Sequence, residues 1–290
     1  MIDNFVYQNK NNPFPVAESA PASGTPESAP AASGVSGDPH IKTWSGSKFD
    51  YMGECDLILA KSAMFGSGQG LEVQIRTTIR NDWSFTSAAA LKIGSSILEV
   101  HSNGDYLLDG EKDVDLFSET LSGHRITWQN ERINADLNFH LFTVHLGEGK
   151  KVYVEVKNNL LDVTFDNADE SNFGDVVGLM GSFRDGKLLG RDGETIFSDY
   201  DLFGQEWQVQ ETEEMLFQDL GQGPQAPAKC NLPAVRKSLE ERRNLRGGDN
   251  SEFVAKAEKA CSAWPKDMRE ACMYDVLATG DLSMAIRVVF

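Results

Sequence analysis

Four residue groups carry whatever chemistry this 290-residue chain can offer: four cysteines, five histidines, one Asp-Pro bond and a run of aspartates in a glycine-rich stretch. Cys55, Cys230, Cys261 and Cys272 allow three disulfide connectivities, and their number does not choose among them. Two helix-prone stretches meet at Pro265. Folded into a hairpin there, they bring Cys261 and Cys272 to facing positions and leave Cys55 for Cys230. A bridge closing the longer of these loops restricts the unfolded chain by about 4–5 kcal/mol. The histidines His40, His101, His124, His140 and His145 are scattered. His140 and His145 stand five apart in an expected strand, so they face opposite sides and do not make a two-ligand metal pair. The sequence has no nucleophile elbow, phosphate loop or paired-cysteine zinc motif. We therefore expect no catalytic site of a conventional kind. The aspartates that stand out are Asp185 and Asp192, in Arg184-Asp-Gly-Lys-Leu-Leu-Gly-Arg-Asp-Gly, with Asp199 and Asp201 beyond.

The elements that must position these groups are mostly strands. Leu71-Glu-Val-Gln-Ile-Arg-Thr-Thr-Ile alternates apolar with polar residues, as a sheet with one buried face does. Ala90–Ile93 and Ser96–Val100 flank Gly94-Ser95 as a hairpin. Phe139–Leu146 and Lys151–Val156 flank Gly147-Glu-Gly-Lys as a second, and Asn158-Asn159 turns into Leu160–Phe165. This pattern predicts a mainly β fold, an antiparallel β-sandwich, over residues 37–209. Residues 1–36 read as a disordered Pro/Ala/Ser-rich linker, with hydroxyls available for O-linked sugar. Residues 210–232 read as an acidic and then Gly/Pro-rich linker carrying a disulfide anchor, and 233–290 as a helical C-terminal module. Within that module Pro233–Leu245 suits a solvated helix. Asn250-Ser251 suits the cap of a helix from Glu252 to about Trp264, and a second helix runs from about Asp267 to Ala278.

Composition narrows the partners. Hydrophobic residues make up 40% of the chain, enough for a real core. The net charge of −17 argues against nucleic acid, which needs clustered Lys and Arg. Residues from Lys229 onward are near +2, so the acidic surplus sits on the sheet region and its exit. No run approaches the roughly 20 apolar residues of a membrane span. Met1–Pro15 has neither a basic start nor an apolar stretch, so no signal peptide is expected within it.

The segment from Gly37 to Ala60 organises the rest. It begins with a Gly37-Asp38-Pro39-His40 turn, carries Trp44, Phe49 and Tyr51 as large apolar surface, turns again at Gly53 and enters a strand after Cys55. It resembles the opening of a von Willebrand factor type D domain, whose pattern runs Gly-Asp-Pro-His, Thr-Phe-Asp-Gly and Phe-Asp-Tyr-x-Gly-x-Cys; the departures are Trp44 and Ser45. Val177-Gly178-Leu179-Met180-Gly181-Ser182-Phe183 and Phe203-Gly204-Gln205-Glu206-Trp207 are similar to the family's Gly-Leu-Cys-Gly-Asn-Phe and Phe-Gly-x-x-Trp segments.

The resemblance implies the same sandwich and supports a Cys55–Cys230 bridge. A second bridge common in the family has neither partner here: Met180 occupies one position, and no cysteine precedes Gly37. The segment around Cys272 is similar to a reduced form of the eight-cysteine helical module that often follows such domains. In the family a loop at the sheet's end binds calcium. Carried across, its ligands fall on Ser45, Ser182 and Arg184, leaving Asp185, Asp192, Asp199 and Asp201 as the candidate weak calcium set. We expect no tight calcium, with Arg184 or Lys187 supplying the positive charge beside Asp185 or Asp192; a rearranged calcium site is the alternative. In some mucin-type relatives the Asp-Pro bond cleaves itself in mild acid, which makes Asp38, Pro39 and His40 a candidate self-cleavage site; otherwise they simply form a turn. Function by resemblance is that of a non-enzymatic, secreted or extracellular module for adhesion, matrix or mucus-like glycoprotein assembly, with other extracellular proteins or glycans as partners. A soluble module binding lipid, carbohydrate or protein, regulated by calcium or not, is the alternative. With all four cysteines paired, no disulfide-linked polymer is expected.

Overall fold

Along Lys150–Lys157 every second residue is buried and every other one half-exposed, the period of a strand with one face in a core. The computed structural model describes residues 32–37, 39–80, 83–132, 138–219, 229–233 and 238–285. These residues build two antiparallel sheets. The eight-stranded sheet contains β1 (Ser33–Ser36), β2 (His40–Lys42), β3 (Lys48–Asp50), β10 (Thr120–Leu121), β11 (His124–Arg132), β12 (Asn138–Gly147), β13 (Lys150–Lys157) and β14 (Leu160–Asp166). The six-stranded sheet is a meander of β4 (Asp56–Ser62), β5 (Leu71–Arg80), β6 (Trp83–Ile93), β7 (Ser96–His101), β8 (Tyr106–Leu108) and β9 (Glu111–Lys112). β1 joins the two ends of the chain's β region by pairing with both β14 and β2. Leu57, Val73, Ile75, Leu91 and Val100 of one sheet share a buried core with Phe142, Val154, Val163 and Phe165 of the other, so the fold is the antiparallel sandwich expected.

Three expectations about the ends of this body are corrected. The expected linker stops short of residue 36, because Ser33–Ser36 form β1 and Val35 lies in the core; residues 1–31 are outside the described set. The acidic stretch after Gln210 is packed rather than loose. Leu216 and Phe217 are buried against Ala88, Ala90 and Ile97 on the outer face of the meander, where alanines leave room for them. Gln74 Oε1 accepts the Leu216 amide, and Glu99 Oε2 accepts the Gln218 amide at 2.6 Å. Finally, the two expected pieces of the first tail helix are one, α4 (Leu239–Cys261). Its start is a capping box in which Ser238 Oγ accepts from the Glu241 amide and Glu241 accepts from the Ser238 amide, so Asn250 and Ser251 are helix interior rather than caps. Pro265 ends that stretch as expected, and α5 (Arg269–Thr279) follows, closed by Gly280 in the left-handed region.

Three short helices complete the sandwich: α1 (Phe65–Gly68), α2 (Glu170–Phe173) and α3 (Tyr200–Glu206).

Candidate functional site

The two downstream motif segments converge on the free edge of β4. The Lys61 and Val177 amides exchange hydrogen bonds with each other's carbonyls, the Leu179 amide donates to the Ile58 carbonyl, the Ile58 amide donates to the Trp207 carbonyl, and the Val209 amide donates to the Asp56 carbonyl. The glycine-rich return is thus laid along β4 in two passes, and the Trp44 amide ties the opening segment to the Met180 carbonyl. Gly178 has φ +125, and a Cβ there would lie 2.6 Å from the Leu59 carbonyl oxygen, so only glycine lets the first pass approach.

Tyr51 is the pin of this arrangement. It is fully buried, and a Cβ on Gly53 or on Gly204 would fall 2.5 Å or 2.2 Å from its ring. The two motif glycines therefore form the two sides of one slot. Phe203, next to Gly204 on α3, and Trp207, which caps the end of that helix, are both buried, and the Trp207 indole donates to the Leu189 carbonyl. Below the slot Cys55 is bonded to Cys230, with Cα atoms 5.0 Å apart, and the Glu54 and Asn231 amides exchange backbone hydrogen bonds just outside. In the tail Cys261 is bonded to Cys272, joining α4 to α5. Trp44 packs edge-on or tilted against Phe165, Phe173 and Phe183, with centroids 5.1–5.4 Å away.

The candidate calcium residues lie on the same return but are occupied separately. Lys187 Nζ stands 2.7 Å from Asp185, and this contact, together with Ser182, holds the Asp185 carboxyl down to about 2. Arg184 pairs with Glu170 on α2 rather than with an aspartate of the loop. Asp192 accepts from the Glu194 and Thr195 amides and the Thr195 hydroxyl, which hold its carboxyl below the usual range. Asp199 caps α3 by accepting the Asp201 and Leu202 amides. Ser45 lies against this loop, since a Cβ on Gly186 would be 2.6 Å from the Ser45 Cβ, and its hydroxyl meets those of Thr43 and Ser47. Among the described residues no three carboxylate, histidine or cysteine side chains converge as a metal set. An ammonium and serine hydroxyls are a poor shell for an ion that takes six to eight oxygens, so these residues do not fit a tight calcium site.

The histidines do not converge either. His140 stacks on Trp128, and burial lowers its pKa; His145 meets the Thr127 hydroxyl and is lowered by burial and by Lys151 and Arg125. His101 lies 2.8 Å from the buried Glu99. Of the candidate self-cleavage residues, Asp38 lies outside the described residues. The Pro39 carbonyl accepts the Tyr51 amide, and His40 Nδ1 is 2.6 Å from Asp50. One feature of this corner gave no signal in the sequence: the Gly37 amide donates to Asp162 of β14, 125 residues away.

Residues 33–187 match the family described as the von Willebrand factor type D domain. The chain belongs to that family. The type D body runs further than the matched stretch, because the second pass of the return, through α3 to Val209, completes the β4 edge. None of the curated proteins compared with the chain matches it. Within the type D domain, the motif residues Gly53, Gly178, Gly204 and Trp207 serve the edge closure just described, and Gly181 lets the chain turn from the first pass into the loop, its amide donating to the Gly178 carbonyl.

Proposed function

We propose that this type D protein is a non-enzymatic extracellular module for adhesion, matrix or mucus-like assembly, working through contacts with other extracellular proteins or glycans. The observation that carries this reading is the pinned edge at Tyr51: the motif residues are used to hold two distant stretches of the chain in one stapled body, and a rigid body of that kind suits a module that bears load or presents a surface. All four cysteines are paired inside the chain, which favours non-covalent association. On non-reducing gels the purified protein should run as a monomer, and a reducible ladder would contradict this. We further infer that Lys187 takes the role calcium has in relatives. Calorimetric titration with calcium after chelation should show no submicromolar binding; a submicromolar site would refute the internal cation and favour the calcium-regulated alternative.

The function itself is tested by surface plasmon resonance with the immobilised protein against mucin and matrix glycoproteins. Saturable binding that is abolished by reduction of the two disulfides is expected. Native mass spectra carrying bound lipid, together with no glycoprotein binding, would favour the ligand-carrier alternative instead.

A further inference from the structure

The helical tail meets the sandwich along a seam that is apolar at one end and ionisable at the other. At the apolar end Trp83, Phe85 and Leu160 share one buried cluster with Met273, Val276 and the Cys261–Cys272 bridge. The ionisable end holds a pair of carboxylates, one from each side, that close on the Gly37 turn. Asp162 Oδ1 accepts the Gly37 amide at 2.6 Å, and a Cβ on Gly37 would lie 3.1 Å from Asp275 Oδ2 of α5. His40 spans the seam: Nδ1 is 2.6 Å from Asp50 of β3, Nε2 is 3.7 Å from Asp275, and its ring meets Tyr274 of α5 edge-on at 6.0 Å. Positive charge comes from Lys157 at the end of β13, which acts on Asp162, and from Arg242 of α4, whose guanidinium lies over the Tyr274 ring at 4.4 Å and donates to its hydroxyl. Asp38, the next residue in sequence after Gly37, is outside the described residues.

Two like charges brought together at a partly covered seam repel, and a proton taken up by one of them relieves the repulsion. We propose that the seam is an acid-tightened latch: the tail docks with uptake of a proton at the Asp162–Asp275 pair, so it is held more firmly in mild acid than at neutral pH. The direction agrees with the surroundings of Asp162. Loss of water pushes its carboxyl up from 3.8 to about 6, with Asp275 adding to the rise and Lys157, the Gly37 amide and His40 opposing it. A carboxyl raised in the docked state binds more protons docked than undocked. Docking therefore strengthens as the pH falls through about 6 and weakens as it rises through that value. If Asp162 returns to 3.8 on undocking, the docking constant is about tenfold greater at pH 5 than at pH 7.5. The latch is independent of the adhesive reading above.

The test is backbone amide exchange of Arg269–Thr279 on the intact protein at about pH 5 and 7.5, corrected for the intrinsic pH dependence of exchange. The amides of β12 serve as an internal reference, and intact mass shows that the Asp38–Pro39 bond is whole. The expected result is protection of α5 about tenfold greater at the lower pH, with β12 unchanged. Asp162→Asn, neutral at every pH, should abolish the difference and bring protection at pH 7.5 up to the acid value; Asp275→Asn should reduce the difference from the tail side without altering the sandwich strand. Asp38→Asn should leave it in place. Equal or weaker protection of α5 in acid, a β12 change of the same size, or a pH difference that survives both Asp162→Asn and Asp275→Asn overturns the proposal. If Asp162→Asn does not fold, Asp275→Asn alone decides.

Discussion

Gly204 stands in the middle of α3, where alanine would ordinarily gain about 1 kcal/mol of helix propensity. Here a Cβ would sit 2.2 Å from the ring of Tyr51, which has no free space to retreat into. Overpacking of this kind costs about 1–3 kcal/mol or more and outweighs the propensity gain. Gly204→Ala is therefore expected to lower stability in urea denaturation, and Gly53→Ala to do the same from the opposite side of the slot. Combined with Tyr51→Leu, either should cost less than the sum of the single changes, because the clash partner has gone. A second residue-level expectation concerns Asp185. Its carboxyl is held at about 2 chiefly by Lys187 and is most effective above its ordinary range, losing that stabilisation as the pH falls through 2. Lys187→Gln should raise the Asp185 pKa towards 3.8 in an NMR titration while the melting temperature barely moves, since both side chains are largely exposed. An unchanged Asp185 pKa would show that Ser182 and the loop amides alone hold it down.

At the scale of elements, the segment Glu211–Asp219 explains why β5 is buried on both faces although its sequence alternates. The inner residues Leu71, Val73 and Ile75 face the core; the outer ones, Glu72, Gln74 and Arg76, are covered by the returning strap. Arg76 forms a buried pair with Asp56, at 2.7 and 3.0 Å, and lies under the Phe217 ring at 4.2 Å; Lys92 pairs with Glu214. Phe217→Ala removes the apolar cover of this ion pair and is expected to cost about 3–5 kcal/mol in denaturant unfolding. A loss below about 1 kcal/mol would mean that the strap lies outside the cooperative fold. In the tail, Ser238→Ala removes one half of the capping box and should cost about 1 kcal/mol, visible as faster amide exchange in the first turn of α4.

For the whole molecule the two bridges differ in what they constrain. Cys55–Cys230 closes a separation of 175 residues and Cys261–Cys272 one of 11, so the chain-entropy stabilisation is about 5 kcal/mol for the first and about 3 kcal/mol for the second. Replacing Cys55 and Cys230 by serine should therefore lower the unfolding free energy more than the same change at Cys261 and Cys272; the reverse order would show that the tail, not the sandwich edge, limits stability. Much of this architecture was legible in the residues. Alternation along Lys151–Val156 and Leu160–Phe165 set their buried faces, since strand periodicity is local and needs no partner to be read. Pro265 and Gly280 marked the tail's breaks for the same reason: their backbone restrictions act within one or two residues. What the sequence did not reveal depends on which surfaces meet. The outer face of β5 looked solvated until Phe217 was laid over it, and Asn250-Ser251 looked like a cap although Ser238 had already supplied one. The Asp162–Asp275 seam joins residues more than 100 positions apart, and nothing in their local spacing anticipates it. The sequence by itself determined strands, breaks and the motifs that close the β4 edge, because those follow from short-range backbone and side-chain preferences. Only the tertiary structure decided which polar faces are covered and which carboxylates share one corner, because both are set by long-range packing.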